Sequence, residues 1–321
     1  MPYVLVTGIL ARAVDGDINP LALQARAPIK GSYDARSLCH KVLVPFERDF
    51  LENVLGGSNE PFLNKPARFT HLSKSNAVRR GRDQETLFAL ISTLESICDT
   101  VEAKQILACV FSYLRKISEE KRASYKKIIS SSTSLCEIVD FSRKFLSKSQ
   151  EGETLAVIVG SLERIFYKRV SDIYSVTTHK VNQSGASSKE IGDVDVYNRK
   201  EHYFSIEAKD KSFTAHDASH AFKKAFSSGA SKAMFVYGEN AKFSKKEIEE
   251  LIISFEEQGF FVLIQSIDTY MTNVLFRISN CSIAEFGDAV LQTLQEINCK
   301  QETLDWFNQL VEEHAWRKNK T

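Results

Sequence analysis

Four side chains in one short stretch could do chemistry together. They are Asp193, Asp195, Glu207 and Lys209, within IGDVDVYNRKEHYFSIEAKDK at residues 191–211. Residues two apart on a strand share a face. Asp193 and Asp195 thus share one face of a strand, with Val194 and Val196 opposite. Glu207 and Lys209 share one face of the next, with Ile206 and Ala208 opposite. Residues 198–201 supply the turn between the two strands. If the register pairs odd positions with odd ones, two or three carboxylates and a lysine converge. Carboxylate oxygens suit a hard dication such as Mg²⁺, and a main-chain carbonyl, here that of Ala208, can add a ligand. A lysine beside them can orient or help deprotonate an attacking water, or stabilise charge building on a phosphate. That set fits metal-assisted phosphodiester hydrolysis. The bland alternative is a solvated strand face with cross-strand ion pairs. The β-branched flanks and the elements on either side favour the hydrolytic reading.

Those elements can be read from periodicity. Leu155, Ile158, Leu162, Ile165 and Phe166 form the stripe of a helix over 153–170. Ser175–Val181, Ile191–Tyr197 and Tyr203–Lys209 alternate with period two and are predicted strands. A helix near 215–227, a strand Ala233–Tyr237, a helix near 244–257 and a strand Phe260–Ile264 follow. Two amphipathic helices, 282–297 and 301–315, end the chain and are the expected place for contacts between copies. The order α-β-β-β-α-β-α-β implies an α/β (α+β) fold, a mixed sheet flanked by helices. All six prolines lie at or before Pro66, so the first 80 residues should be short helices and ordered loops. Helical spacing then runs from 83 to 146, making the N-terminal region helix-rich. A boundary is expected near 148–152, with 1–150 as a DNA-recognition region and 151–321 as the hydrolytic core with its C-terminal helices; one compact body is the alternative.

The helix-then-hairpin pattern carrying D…ExK resembles the PD-(D/E)xK nuclease superfamily. The resemblance covers about 153–240 and implies a helix, a three-stranded antiparallel part, a helix and a further strand. Glycine stands where the first motif often has proline, at Gly192-Asp193. The resemblance favours Asp195 as principal metal ligand, with Asp193 a close second. It also implies a glutamate on the preceding helix reaching the metal, and Glu163 has that position; an ordinary solvent-facing glutamate is the alternative. GSYDARSLCHKVLVPFE (31–47) and LGGSNEPFLNKPARFTHLSKSNAVRRGRD (55–83) are similar to the SacI-type family of type II restriction endonucleases. That likeness implies Mg²⁺-dependent cutting of short palindromic sites in double-stranded DNA, and hence a twofold homodimer.

Two basic runs could meet DNA. The first, 71–82, offers Lys74, Asn76, Arg79, Arg80 and Arg82 to phosphates and purine edges. The second, 115–127, is interrupted by Glu119 and Glu120 and fits a solvated face better. On the helix after Lys209, His220, Lys223 and Lys224 fall on neighbouring turns. His220 and Lys224 are therefore candidates for the scissile phosphate, although His220 could equally pack on the sheet.

Composition narrows the rest. Lys+Arg 42 against Asp+Glu 41 excludes a wholesale basic coat but not a local basic surface. None of the six cysteines forms a CxxC pair, which argues against a zinc ribbon or a thioredoxin-type motif. The absence of GxxxxGK[ST] argues against a nucleotide-driven motor. The short apolar opening is followed by acids and reads as part of the fold, and no run is long enough to span a membrane. A cytoplasmic protein is the default. The expected function is a type II restriction endonuclease. A repair or junction-resolving nuclease and a non-catalytic DNA-binding protein with the same fold are the alternatives.

Overall fold

The computed structural model describes residues 1–58, 61–62, 67–77, 80–181 and 190–318. Among the described residues, contact groups the chain into two units, Met1–Ser124 and the residues from Tyr125 onward. The division precedes the 148–152 break expected from composition. Helix 135–146 explains why: Ile138, Phe141 and Phe145 join the core of the second unit, not that of the helices before it.

The first unit is helical. α1 (Pro2–Val14) starts with proline inside its first turn, where no backbone donor is needed. Val4, Val6, Ile9 and Ala11 are buried, as in a helix enclosed by its own unit. It shares a core with α4 (Arg82–Glu95) and α5 (Thr100–Ala123), including Leu87, Leu90, Ile91, Leu94 and Leu114. Among the described residues between them come α2 (Ala35–Leu38), α3 (Val44–Phe50) and connecting loops, the short elements that the prolines predict. Buried Glu47 ties one loop down by accepting from Tyr3 Oη at 2.5 Å and from the Leu55 amide at 2.7 Å.

The second unit holds one five-stranded sheet in chain order: β1 (Tyr174–Thr178), β2 (Val194–Asn198), β3 (Glu201–Lys209), β4 (Lys232–Tyr237) and β5 (Phe261–Ser266). The first three strands are antiparallel and the last three parallel, so β3 joins the two halves. One face is covered by α8 (Ala215–Ser227) and α9 (Lys245–Glu256), which bury Phe222 and Phe255 against Phe235 and Val262. The other is covered by α6 (Leu135–Leu146), α7 (Glu153–Val170), α10 (Ile267–Arg277), α11 (Ile283–Glu296) and α12 (Gln301–Lys318). Residues 155–163 of α7 are buried without a break, the pattern of a helix packed on all sides. α10 has no counterpart in the sequence reading. It begins directly at the end of β5, where Ser266 Oγ accepts from the Thr269 amide at 3.2 Å, so no turn residue announces it. The apolar faces of α11 and α12, including Phe286, Leu294, Leu304 and Phe307, are buried inside this unit.

Candidate active site

Strand register settles which acids meet. Val194 faces Ile206 and Asp195 faces Ser205 across the β2–β3 ladder, which sets Asp193 beside Glu207. Asp193 Oδ2 accepts from the Ala208 amide at 2.9 Å. Lys209 Nζ stands 3.9 Å from Glu207 Oε1. Asp193, Glu207, Ala208 and Lys209 line an open pocket of about 460 Å³, with Glu151, Asp210 and Lys211 on its walls. A neighbouring depression shares Glu207 and Lys209 and is lined by His216, His220 and Lys224 of α8. The strand carrying Glu207 and Lys209 is thus a ridge between a hollow rich in carboxylates and one where His216, His220 and Lys224 gather around Asp217.

Burial and the charge of Asp193 push the Glu207 carboxyl up to about 8. Asp193 is raised as well, by burial first, against the Ala208 amide that favours its charged form. Two half-buried carboxylates that resist sharing negative charge favour a cation between them. Their oxygens and the Ala208 carbonyl are hard donors that fit Mg²⁺ and suit softer metals poorly. Among the described residues no three His, Cys, Asp or Glu side chains make a metal cage by themselves, so a main-chain oxygen and waters would have to complete the shell.

Asp195 is placed otherwise than expected. It is fully buried. Its Oδ2 accepts from His179 Nε2 at 2.8 Å and the Ile191 amide at 3.1 Å; its Oδ1 accepts from the Gly192 amide at 3.0 Å and from Ser205 Oγ. Burial alone would raise this carboxyl, but the hydrogen bond from His179, the nearby His202 with its Nε2 3.6 Å away, and the hydrogen bond from Ser205 overturn that and hold it well below the usual carboxylate range. The Asp195 oxygens are thus taken up by donors and have no exposed surface, whereas Asp193 lines the open pocket.

Glu163 is also elsewhere. It lies on the α7 side of the sheet, where Tyr270 Oη donates to its Oε1 at 2.6 Å. It shares an apolar cavity with Phe204, Met234 and Arg277, on the face turned away from Glu207. Burial pushes its carboxyl up to about 7. The acid that does reach the pocket from this part of the chain is Glu151, paired with Lys300 just before α7. No spacing signal marks Glu151, because it sits in a turn with φ +60° and not on the helix.

Of the DNA candidates, His220 and Lys224 line the depression beside Glu207. Lys74, Asn76, Arg80 and Arg82 belong to the first unit, and Arg79 lies outside the described residues. Lys74 Nζ lies 5.7 Å from the Phe88 ring centre. Asn76 Oδ1 accepts from the Ser73 amide at 2.7 Å, and Arg80 and Arg82 are exposed. The second run is largely ion-paired: Arg115 with Glu119, Arg122 with Glu52, Lys126 with Glu312. Exposed pairs of this kind contribute little to stability. Sequence reading missed His179 and His202. His202 Nε2 bonds Ser205 Oγ at 2.8 Å and its Nδ1 bonds Ser228 Oγ at 2.5 Å. Its orientation depends on a bulge where the ladder shifts between Val196 and Tyr197, which no alternation pattern reveals.

No curated protein matches the chain. Two family models do. The SacI restriction endonuclease N-terminal domain matches residues 1–118, and the SacI restriction endonuclease C-terminal domain matches residues 130–239. The second match contains the whole carboxylate–lysine ridge and α8. Such a family implies a divalent metal cofactor and double-stranded DNA as the molecule acted on. No helix among the described residues is long and apolar enough to cross a membrane. With both domains matched in order over most of its length, the chain belongs to the SacI restriction endonuclease family and is a type II site-specific deoxyribonuclease.

Proposed function

We propose that this chain hydrolyses one phosphodiester bond per strand at a short palindromic site, with Mg²⁺ as cofactor, acting as a cytoplasmic homodimer. The observation that carries the site assignment is the shared pocket of Asp193, Glu207 and Lys209 on adjacent strands. Asp193, Glu207 and the Ala208 carbonyl hold the ion. Bound Mg²⁺ supplies positive charge to the scissile phosphate and makes a nearby water more acidic. Lys209 donates a hydrogen bond that orients the attacking water and faces the charge growing on the phosphate. His220 and Lys224 clamp the phosphate from the α8 side of the ridge. Lys74, Asn76, Arg80 and Arg82 hold DNA on the first unit, through phosphates and base edges.

The test is digestion of unmethylated plasmid or phage DNA with Mg²⁺, with EDTA, and with Lys209→Ala in Mg²⁺. Discrete fragments are expected with Mg²⁺ and none with EDTA, and Lys209→Ala should be slower by about 10²–10³-fold. Lys209→Ala cutting at the wild-type rate sinks the role given to Lys209. A smear in place of bands argues for a nuclease without sequence preference.

A further inference from the structure

Asp195 is buried, yet four hydrogen bonds converge on its carboxylate. Two of its four donors are the amides of Ile191 and Gly192, the residues immediately before Asp193. A third, His179 Nε2, comes from the end of β1. The same histidine also grips Asp193 directly, because its backbone amide donates to the Asp193 carbonyl at 2.8 Å. Main chain is therefore held on both sides of the Asp193 side chain. Behind Asp195 the chain of bonds continues through Ser205 to His202 and Ser228, so the anchor is itself braced.

Gly192 fits the same arrangement. A Cβ there would stand 2.8 Å from the Ile206 carbonyl and 3.0 Å from Ser205 Cβ, so the loop lies against β3. A proline at 192 would lose the amide that Asp195 accepts. Glycine is the residue that keeps both the close approach and the donor.

We infer that Asp195 and His179 form a clamp that fixes the backbone of residues 191–193 and so aims the Asp193 carboxylate into the pocket: they are positioning residues for the metal site. This rests on the reading of Asp193 as a metal ligand. A carboxylate suits the task because four donors converge on it, and only an ionised acid has lone pairs for all of them.

The full-length protein carrying Asp195→Asn, His179→Ala, His179→Gln or Asp193→Asn is titrated with Mn²⁺ without DNA, followed by electron paramagnetic resonance. Backbone hydrogen exchange over 190–193 and DNA affinity in EDTA are measured alongside. Asp195→Asn places an amide NH₂ against these donors. It and His179→Ala should weaken Mn²⁺ binding about tenfold or more, the usual effect of losing a partner behind a ligand. They should also speed exchange at Ile191 and Gly192 and leave metal-free DNA affinity unchanged. His179→Gln, whose Nε2 can take the place of the ring donor, should recover most of the loss. If Asp195→Asn does not fold, the His179 pair decides. Wild-type Mn²⁺ affinity in Asp195→Asn or His179→Ala, where Asp193→Asn has lost it, overturns the clamp alone. Wild-type affinity in Asp193→Asn removes the ligand assignment and the clamp with it.

Discussion

Asp195 and Glu207 carry the same functional group on one face of one sheet, and their surroundings drive them in opposite directions. Four donors hold the first ionised; burial and a like charge hold the second back from ionising. Glu163 is a third case, buried on the far face with a single tyrosine partner. Its folded carboxyl sits at about 7 against 4.5 in the unfolded chain. An acid raised in the folded state contributes full stability below its unfolded value. That stability falls as pH rises from about 4.5 towards about 7, and is flat above. Glu163→Gln can still accept from Tyr270 but cannot ionise. It should flatten this window and stabilise the protein at pH 8 by up to about 3 kcal/mol. It should cut DNA at the wild-type rate, because Glu163 does not reach the pocket. Denaturant unfolding across the pH range checks the first expectation and a cleavage assay the second; a large loss of cutting would return Glu163 to the site.

Elements were more legible than their details. The order of strands and helices from 153 to 264 followed from the change of period alone, and helix 215–227 matches the structure's Ala215–Ser227. The spacing of Glu207 and Lys209 was enough to put both on one face. That Asp193 lines the open pocket while Asp195 is buried was not legible, because it depends on residues 191–192 folding back over Asp195 and not on any period. Glu163 was misplaced for a related reason: a helix buried on every side gives no amphipathic stripe to say which acid faces which wall. α7 meets β1 through Gly160, where a Cβ would come within 2.1 Å of Thr178 Oγ1. Gly160→Ala gains helix propensity but must push the helix off the strand. We expect a net destabilisation of about 1–3 kcal/mol by chemical denaturation. A stabilised Gly160→Ala would mean that this approach is looser than the geometry indicates.

At the scale of the molecule, a net charge of +1 requires DNA affinity to come from where cations sit, not from their number. Several lysines and arginines of 115–127 are engaged with carboxylates, while the depression beside Glu207 gathers His216, His220 and Lys224. Among the described residues a single copy offers one such ridge, and a palindrome presents two equivalent scissile bonds. Sedimentation on a duplex bearing the cleaved site should therefore show two chains per duplex. One chain per duplex with both strands still cut in a single binding event would contradict the homodimer.

The bulge in β3 has a consequence for how this strand tolerates changes in length. From Phe204 to Lys209 the strand keeps one phase, and Glu207 and Lys209 depend on it. The extra residue, Tyr203, takes up the shift, packing with Tyr167 and Tyr174 while His202 remains opposite Tyr197. Loss of Tyr203 would close the ladder and leave both ends of the strand facing as they do now. An insertion or deletion between Phe204 and Lys209 would turn Glu207 or Lys209 into the hydrophobic layer under α7. One strand thus has a hairpin end that can vary in length and a reactive end that cannot.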